Sequence, residues 1–102
     1  MSDVIELAKF GVRGGVSERA VQERARDLDA WLKQQPGFVG RTLVGPDAEG
    51  FFTDIVRWKS KAEAFAAGER VMKEPCAAAF MALIDPARVH MSHAPVVAEL
   101  ST

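Results

Sequence analysis

Apolar residues fall along the chain in two rhythms, near-continuous short runs and runs at helical spacing. Asp3 to Val12 (DVIELAKFGV) is dense in Val, Ile, Leu and Phe and predicts a strand, closed by Gly14-Gly15. Ser17 then offers an N-cap with Glu18 in the first turn. Val21, Ala25, Leu28 and Leu32 follow at helical spacing among Arg, Asp, Gln and Lys, which predicts one amphipathic helix ending near Gln35, before Pro36-Gly37. Phe38 to Val44 and Phe51 to Trp58 are strands, and the turn chemistry of Gly45 to Gly50 pairs them as a hairpin. Ser60-Lys61-Ala62-Glu63 reads as a capping box opening a helix through Ala64, Phe65 and Val71. Pro75 interrupts that helix and suits the first position of a further short one, Cys76 to Ile84, which Asp85-Pro86 stops. Ala87 to Ala94 is a fourth strand and Pro95 to Thr102 a tail.

The order β-α-β-β-α-β predicts an α+β, ferredoxin-like antiparallel sheet with its helices on one face, residues 1–102 forming a single domain. A half-exposed sheet alternates apolar and polar residues. Here Phe51 and Phe52 are adjacent, as are Ile55 and Val56, and Val39 and Leu43 oppose Phe38 and Val44 in the same way. Both faces are therefore expected to be apolar. The chain's own helices cover one, and a second copy of the same sheet is the simplest cover for the other, so a homodimer is expected.

Composition narrows the class. The 102 residues are 48% hydrophobic and 26% charged, and 13 basic against 14 acidic residues give no global attraction to nucleic acid or an anionic membrane. No apolar run approaches the roughly 20 residues of a membrane helix. Met1-Ser2-Asp3 does not open a signal peptide, and the lone Cys76 excludes an internal disulfide and a multi-cysteine zinc site. These features fit a cytoplasmic protein.

Pro36-Gly37-Phe38, the hairpin, and Asp54-Ile55-Val56-x-Trp58-x-Ser60 leading into a helix resemble the antibiotic biosynthesis monooxygenase superfamily of dimeric α/β barrels, over nearly the whole chain. The resemblance implies the dimeric barrel. It leaves the chemistry open, because this superfamily and related barrels include cofactor-free monooxygenases, heme-degrading enzymes, isomerases and stress-response proteins. The heme-degrading members rely on an Asn, Trp and His set. This chain has no Asn; the corresponding position falls at Ala8, and the position near their His falls close to Cys76. Heme degradation is thereby disfavoured. The absence of Tyr removes any site built on a protein phenol. No bound heme, flavin or metal is expected.

Asp54 is a carboxylate at the centre of an otherwise apolar strand. It shares parity with Phe52, Val56 and Trp58, as Glu6 does with Val4, Ala8 and Phe10. The first and third strands are expected to be central neighbours, which brings Glu6 and Asp54 near one another. His93 shares parity with Val89 and Met91, while His90 points to the opposite face. Glu6, Asp54 and His93 are the candidate catalytic groups, a carboxylate orienting a histidine as general base in an apolar cavity. Phe38 and Trp58 are expected to wall that cavity, and Arg41 to stabilise a substrate anion. The structural alternative has Asp54 capping a bulge or pairing with Arg57 or Arg41, Trp58 and Trp31 as core anchors, Cys76 as a small helix residue, and Met72, Met81 and Met91 as gap fillers. Three readings follow: a cofactor-free oxygenase or proton-transfer enzyme acting on a small hydrophobic, cyclic or aromatic substrate; a non-catalytic barrel of the stress-response type that binds such a ligand; and an interaction module with neither role.

Overall fold

The computed structural model describes residues 2–102. In chain order the elements are β1 (Val4–Val12), α1 (Glu18–Arg26), α2 (Asp29–Lys33), β2 (Phe38–Val44), β3 (Phe52–Trp58), α3 (Lys61–Val71), α4 (Pro75–Met81) and β4 (Ile84–Pro95). The strands form one antiparallel sheet in the order β2-β3-β1-β4, the ferredoxin-like arrangement, with β1 and β3 central. One sheet face carries Phe10, Phe52, Val56 and Trp58, all buried with Val21, Ala25, Leu28, Leu32, Ala64, Ala67, Ala77 and Phe80 of the helical layer in one core. Phe10 stacks on Phe52 at 5.6 Å and meets Phe80 edge-on at 5.6 Å, tying β1, β3 and α4 together.

Three local features depart from the sequence pattern. The helix expected from Ser17 to Gln35 is two helices. At the break the Leu28 N–H donates to the Ala25 carbonyl at 3.1 Å, a tighter turn than the α-helix makes. Arg41 Nη1 also donates to that carbonyl, at 2.8 Å, so a cation completes the C-terminus of α1. The turn leaves both Leu28 and Leu32 in the core.

In β2 the pairing shifts between Phe38↔Trp58 and Gly40↔Arg57, which makes Val39 an unpaired bulge residue. The bulge resets the alternation, so Phe38 faces the helices together with Arg41 and Leu43. Past the bulge Leu43 turns inward and Val44 outward, so this strand still offers an apolar side chain to each face. In β4 the strand begins at Ile84, where a helix end was expected. Ile84 pairs with Val12 and Val89 with Phe10, so residues 85–88 bulge opposite Gly11 alone. Pro86, which donates no ladder bond, is accommodated in that bulge. The Arg88 guanidinium crosses Gly11 closely, so a Cβ there would displace it.

The outward sheet face is mixed. Ile5, Leu7, Ile55 and Val44 form its apolar part, with Leu7 39% and Val44 46% exposed. At one end Phe51 lies under Lys9 (4.8 Å to the ring centroid) and Arg88 (4.5 Å). The tail is tied to its own chain: the Val96 N–H donates to the Asp3 carbonyl at 2.8 Å, and Glu99 pairs with Arg57 at 2.9 and 3.0 Å, while Val97 and Leu100 stay exposed.

Candidate functional site

The antiparallel register decides which candidates meet. Glu6 on β1 lies directly across from His93 on β4, and on its other side from Val56 of β3. Trp58 and Asp54 occupy the same face of β3, each two residues from Val56. Glu6, Asp54, His93, Arg41, Trp58 and Phe38 therefore all project toward the helices, and there they divide into two groups.

The first group centres on Glu6. Trp58 Nε1 donates to Glu6 Oε1 at 2.8 Å, and His93 Nε2 lies 3.4 Å from Glu6 Oε2. Both ionisable side chains are 16% exposed. Phe65 of α3 meets the His93 ring edge-on at 4.8 Å. Phe38 packs edge-on against Trp58 at 5.7 Å. It supports the indole and does not line the cavity described below, contrary to its expected place as a wall.

The second group is an ion pair. Arg41 Nε donates to Asp54 Oδ1 at 2.8 Å and Arg41 Nη2 to Asp54 Oδ2 at 2.7 Å, a bidentate fork, while Nη1 reaches the Ala25 carbonyl. Asp29 is 3.9 Å from the same nitrogen. The Arg41 and Asp54 side chains are 9% and 12% exposed. Asp54 thus neutralises Arg41 rather than orienting His93. Diagonal strand neighbours such as Glu6 and Asp54 are separated by roughly 7–8 Å, so the expected trio is a Glu6–His93 pair beside a separate Arg41–Asp54 pair. Arg57, the other arginine considered for Asp54, lies on the opposite face with Asp3 and Glu99.

A cavity of about 260 Å³ lies between the sheet and the helices, with Glu6, Arg41, Asp54 and Trp58 among its lining residues. Its space comes from small side chains on facing elements: Ala8 on the sheet, Ala64, Ala67 and Gly68 on α3, and Ala77 on α4. Trp31 and Leu28 form part of the far wall. An adjoining cleft holds His93, Phe65 and Glu69, and Glu6, Ala64, Gly68, Met72 and Met91 line both spaces. Met72, Met81 and Met91 are 75%, 47% and 51% exposed, so they rim the site instead of filling the core. The sequence pattern assigns Phe65 to the helix and Met72 to gap filling and passes over Gly68, although their i, i+3, i+7 spacing places all three along one side of α3.

The arrangement suits an apolar ligand with one polar group directed at Glu6. Ligand cavities typically run roughly 300–1,000 Å³, so this one takes a small molecule. The inner cavity is lined by no His or Cys, and His93 stands in the adjoining cleft. Among the described residues no group of three or more His, Cys, Asp or Glu is placed to hold a metal ion.

No family model matches the chain, and no curated protein sequence matches it. Solved structures do. A variant of SnoaB, a cofactor-independent oxygenase from Streptomyces nogalater, superposes with a TM-score of 0.75 at 20% identity over 100% of both chains. A variant of MhuD with two manganese protoporphyrin IX bound per active site matches with a TM-score of 0.74 at 18% identity, over 97% of this chain and 99% of that one. A proposed antibiotic biosynthesis monooxygenase from Bordetella bronchiseptica reaches 0.78 at 14% identity, over 96% of this chain and 100% of that one. At such identities the likeness shows architecture alone: the chain shares the ferredoxin-like α+β fold of these structures.

Proposed function

We propose that this protein binds a small, mostly apolar ring compound in the cavity and removes a proton from it through the Glu6–His93 pair, the chemistry of a cofactor-independent oxygenase. The observation that carries the reading is the Glu6 carboxylate, set in an apolar cavity with one oxygen held by Trp58 and the other facing His93. A carboxylate beside an imidazole can take up and return a proton. A phenol or enol that loses its proton becomes an electron-rich anion. Dissolved oxygen, the oxidant, adds to that anion as a peroxide, and the proton returns to give a hydroperoxide. Trp58 fixes the carboxylate, and the Arg41–Asp54 pair holds the cavity wall. The fold shared with SnoaB supports the reading.

Oxygen uptake with a panel of small phenols and enols tests it. Glu6→Gln and His93→Ala should each lower the rate by about 10²-fold or more, the usual range for a lost general base, with unchanged thermal stability for Glu6→Gln. No uptake by wild-type protein on any compound it binds would favour a second reading, a non-catalytic ligand carrier. That reading draws on Asp54, whose full engagement by Arg41 leaves a single carboxylate beside the histidine.

We further infer that the working unit is a homodimer formed through the outward sheet face, where Ile5, Leu7 and Ile55 cluster. Light scattering at micromolar concentration should give twice the chain mass, and Leu7→Asp should return it to the monomer value. A well-folded wild-type monomer would remove this part of the proposal.

A further inference from the structure

Gly68 stands in the interior of α3, where glycine is the least favourable residue after proline. Nothing in the backbone asks for it, since the glycines with positive φ are Gly15, Gly37, Gly45 and Gly50. Nor does crowding, for a Cβ built on Gly68 meets no heavy atom within 4 Å. Gly37 presents the opposite case, with positive φ and the Glu63 side chain against it. What distinguishes Gly68 is its position. It lines both the inner cavity and the outer cleft, in company with Met72, Met91 and Glu6.

We propose that Gly68 is a specificity-determining residue: its missing side chain forms the aperture through which a ligand reaches from the cleft beside His93 into the cavity beside Trp58. This rests on the ligand-binding reading of the cavity. A ligand of one ring fits on either side of α3's inner face, but a fused two-ring ligand must pass Gly68 to occupy both spaces. Met72 and Met91, flexible and exposed, flank the aperture and adjust to its occupant. The glycine therefore sets the largest ring system the site accepts, at a cost to helix stability.

The test compares wild-type protein with Gly68→Ala and Gly68→Leu, using phenol and 2-naphthol as probes in NMR titrations, with circular dichroism confirming the fold. Gly68→Ala should raise the melting temperature by about 4–8 °C and weaken 2-naphthol slightly. Gly68→Leu should weaken 2-naphthol by about tenfold or more and leave phenol within about twofold. If wild-type protein binds 2-naphthol and both variants bind both probes as tightly as it does, the aperture is elsewhere and the inference is overturned. If wild-type protein binds neither probe, the ligand-binding reading itself falls and takes the inference with it.

Discussion

The buried fork between Arg41 and Asp54 explains a residue that the sequence pattern singles out and does not resolve. A carboxylate within an apolar strand is costly unless its charge is matched and its lone pairs are used. Arg41 does both, and its third contact completes the end of α1. Removing one partner strands the other. Asp54→Ala should therefore cost about 3–5 kcal/mol in urea denaturation, whereas Arg41→Met combined with Asp54→Leu should recover much of that loss. Equal loss in the single and double variants would show that the fork itself, and not the stranded charge, matters. The choice between Arg41 and Arg57 was partly legible in advance. Asp54 and Arg57 are three apart on one strand, and alternation puts them on opposite faces. The pairing of Glu6 with His93 was less accessible, because it depends on the β1–β4 register and the three-residue excess in the Ile84–Val89 bulge. No local signal fixes such a register.

At the scale of elements, the types and order were readable from periodicity, and the departures occur where long-range contacts override it. Leu28 and Leu32 keep helical spacing across a break that Arg41, from a later strand, helps to create. The Val39 bulge, flanked by Gly40 where the pairing resumes, inverts the strand alternation. Ile84 reads as a helix residue until its pairing with Val12 is known. Local caps, by contrast, announce themselves. Ser60 Oγ accepts from the Glu63 N–H at 3.2 Å and its hydroxyl donates to Glu63 Oε1 at 3.0 Å. Ser60→Ala should destabilise the fold by about 1 kcal/mol, the usual worth of an N-cap. Gly37→Ala should cost more, on the order of 2 kcal/mol, because it places a Cβ at φ +82° and against the same Glu63 side chain. Thermal melts of the two variants give the comparison, and a Gly37→Ala protein as stable as wild type would mean that the β2 approach can relax around α3. The Asp47 carboxylate organises the β2–β3 turn in the same local way, accepting from the Glu49 and Phe51 amides at 2.9 Å. The Phe51 amide foremost holds its carboxyl below the usual range.

For the molecule as a whole, the least secured part is the tail, and its attachment is electrostatic. Arg57 donates to Asp3 at 2.8 Å and to both oxygens of Glu99, so one guanidinium joins the start of β1, the end of β3 and the segment after β4. Arg57 itself is held more firmly protonated by these partners, Glu99 before Asp3. Its hydrogen bonds also keep the Asp3 and Glu99 carboxyls below their ordinary values. A depressed carboxylate pKa contributes stability that is present above the ordinary range, about pH 4, and disappears as pH falls through the lowered values. Exposed ion pairs of this kind are individually weak, so the global fold should outlast them. The tail has little else to hold it, since Val97 and Leu100 are almost fully exposed and the Val96 amide bond lies at its base. Acidification through these lowered values, well below about pH 4, should therefore free residues 97–102 while the sheet remains folded. Heteronuclear NOE values for those residues should drop toward those of a flexible chain, and Glu99→Gln should produce the same drop at neutral pH. High salt should do so partially, because the pair is accessible to screening. A tail equally rigid in wild-type and Glu99→Gln protein at about pH 7, and in wild-type protein acidified through the lowered carboxyl values, would place its anchorage in apolar contacts of Val96, Val97 and Leu100 rather than in the Arg57 clasp.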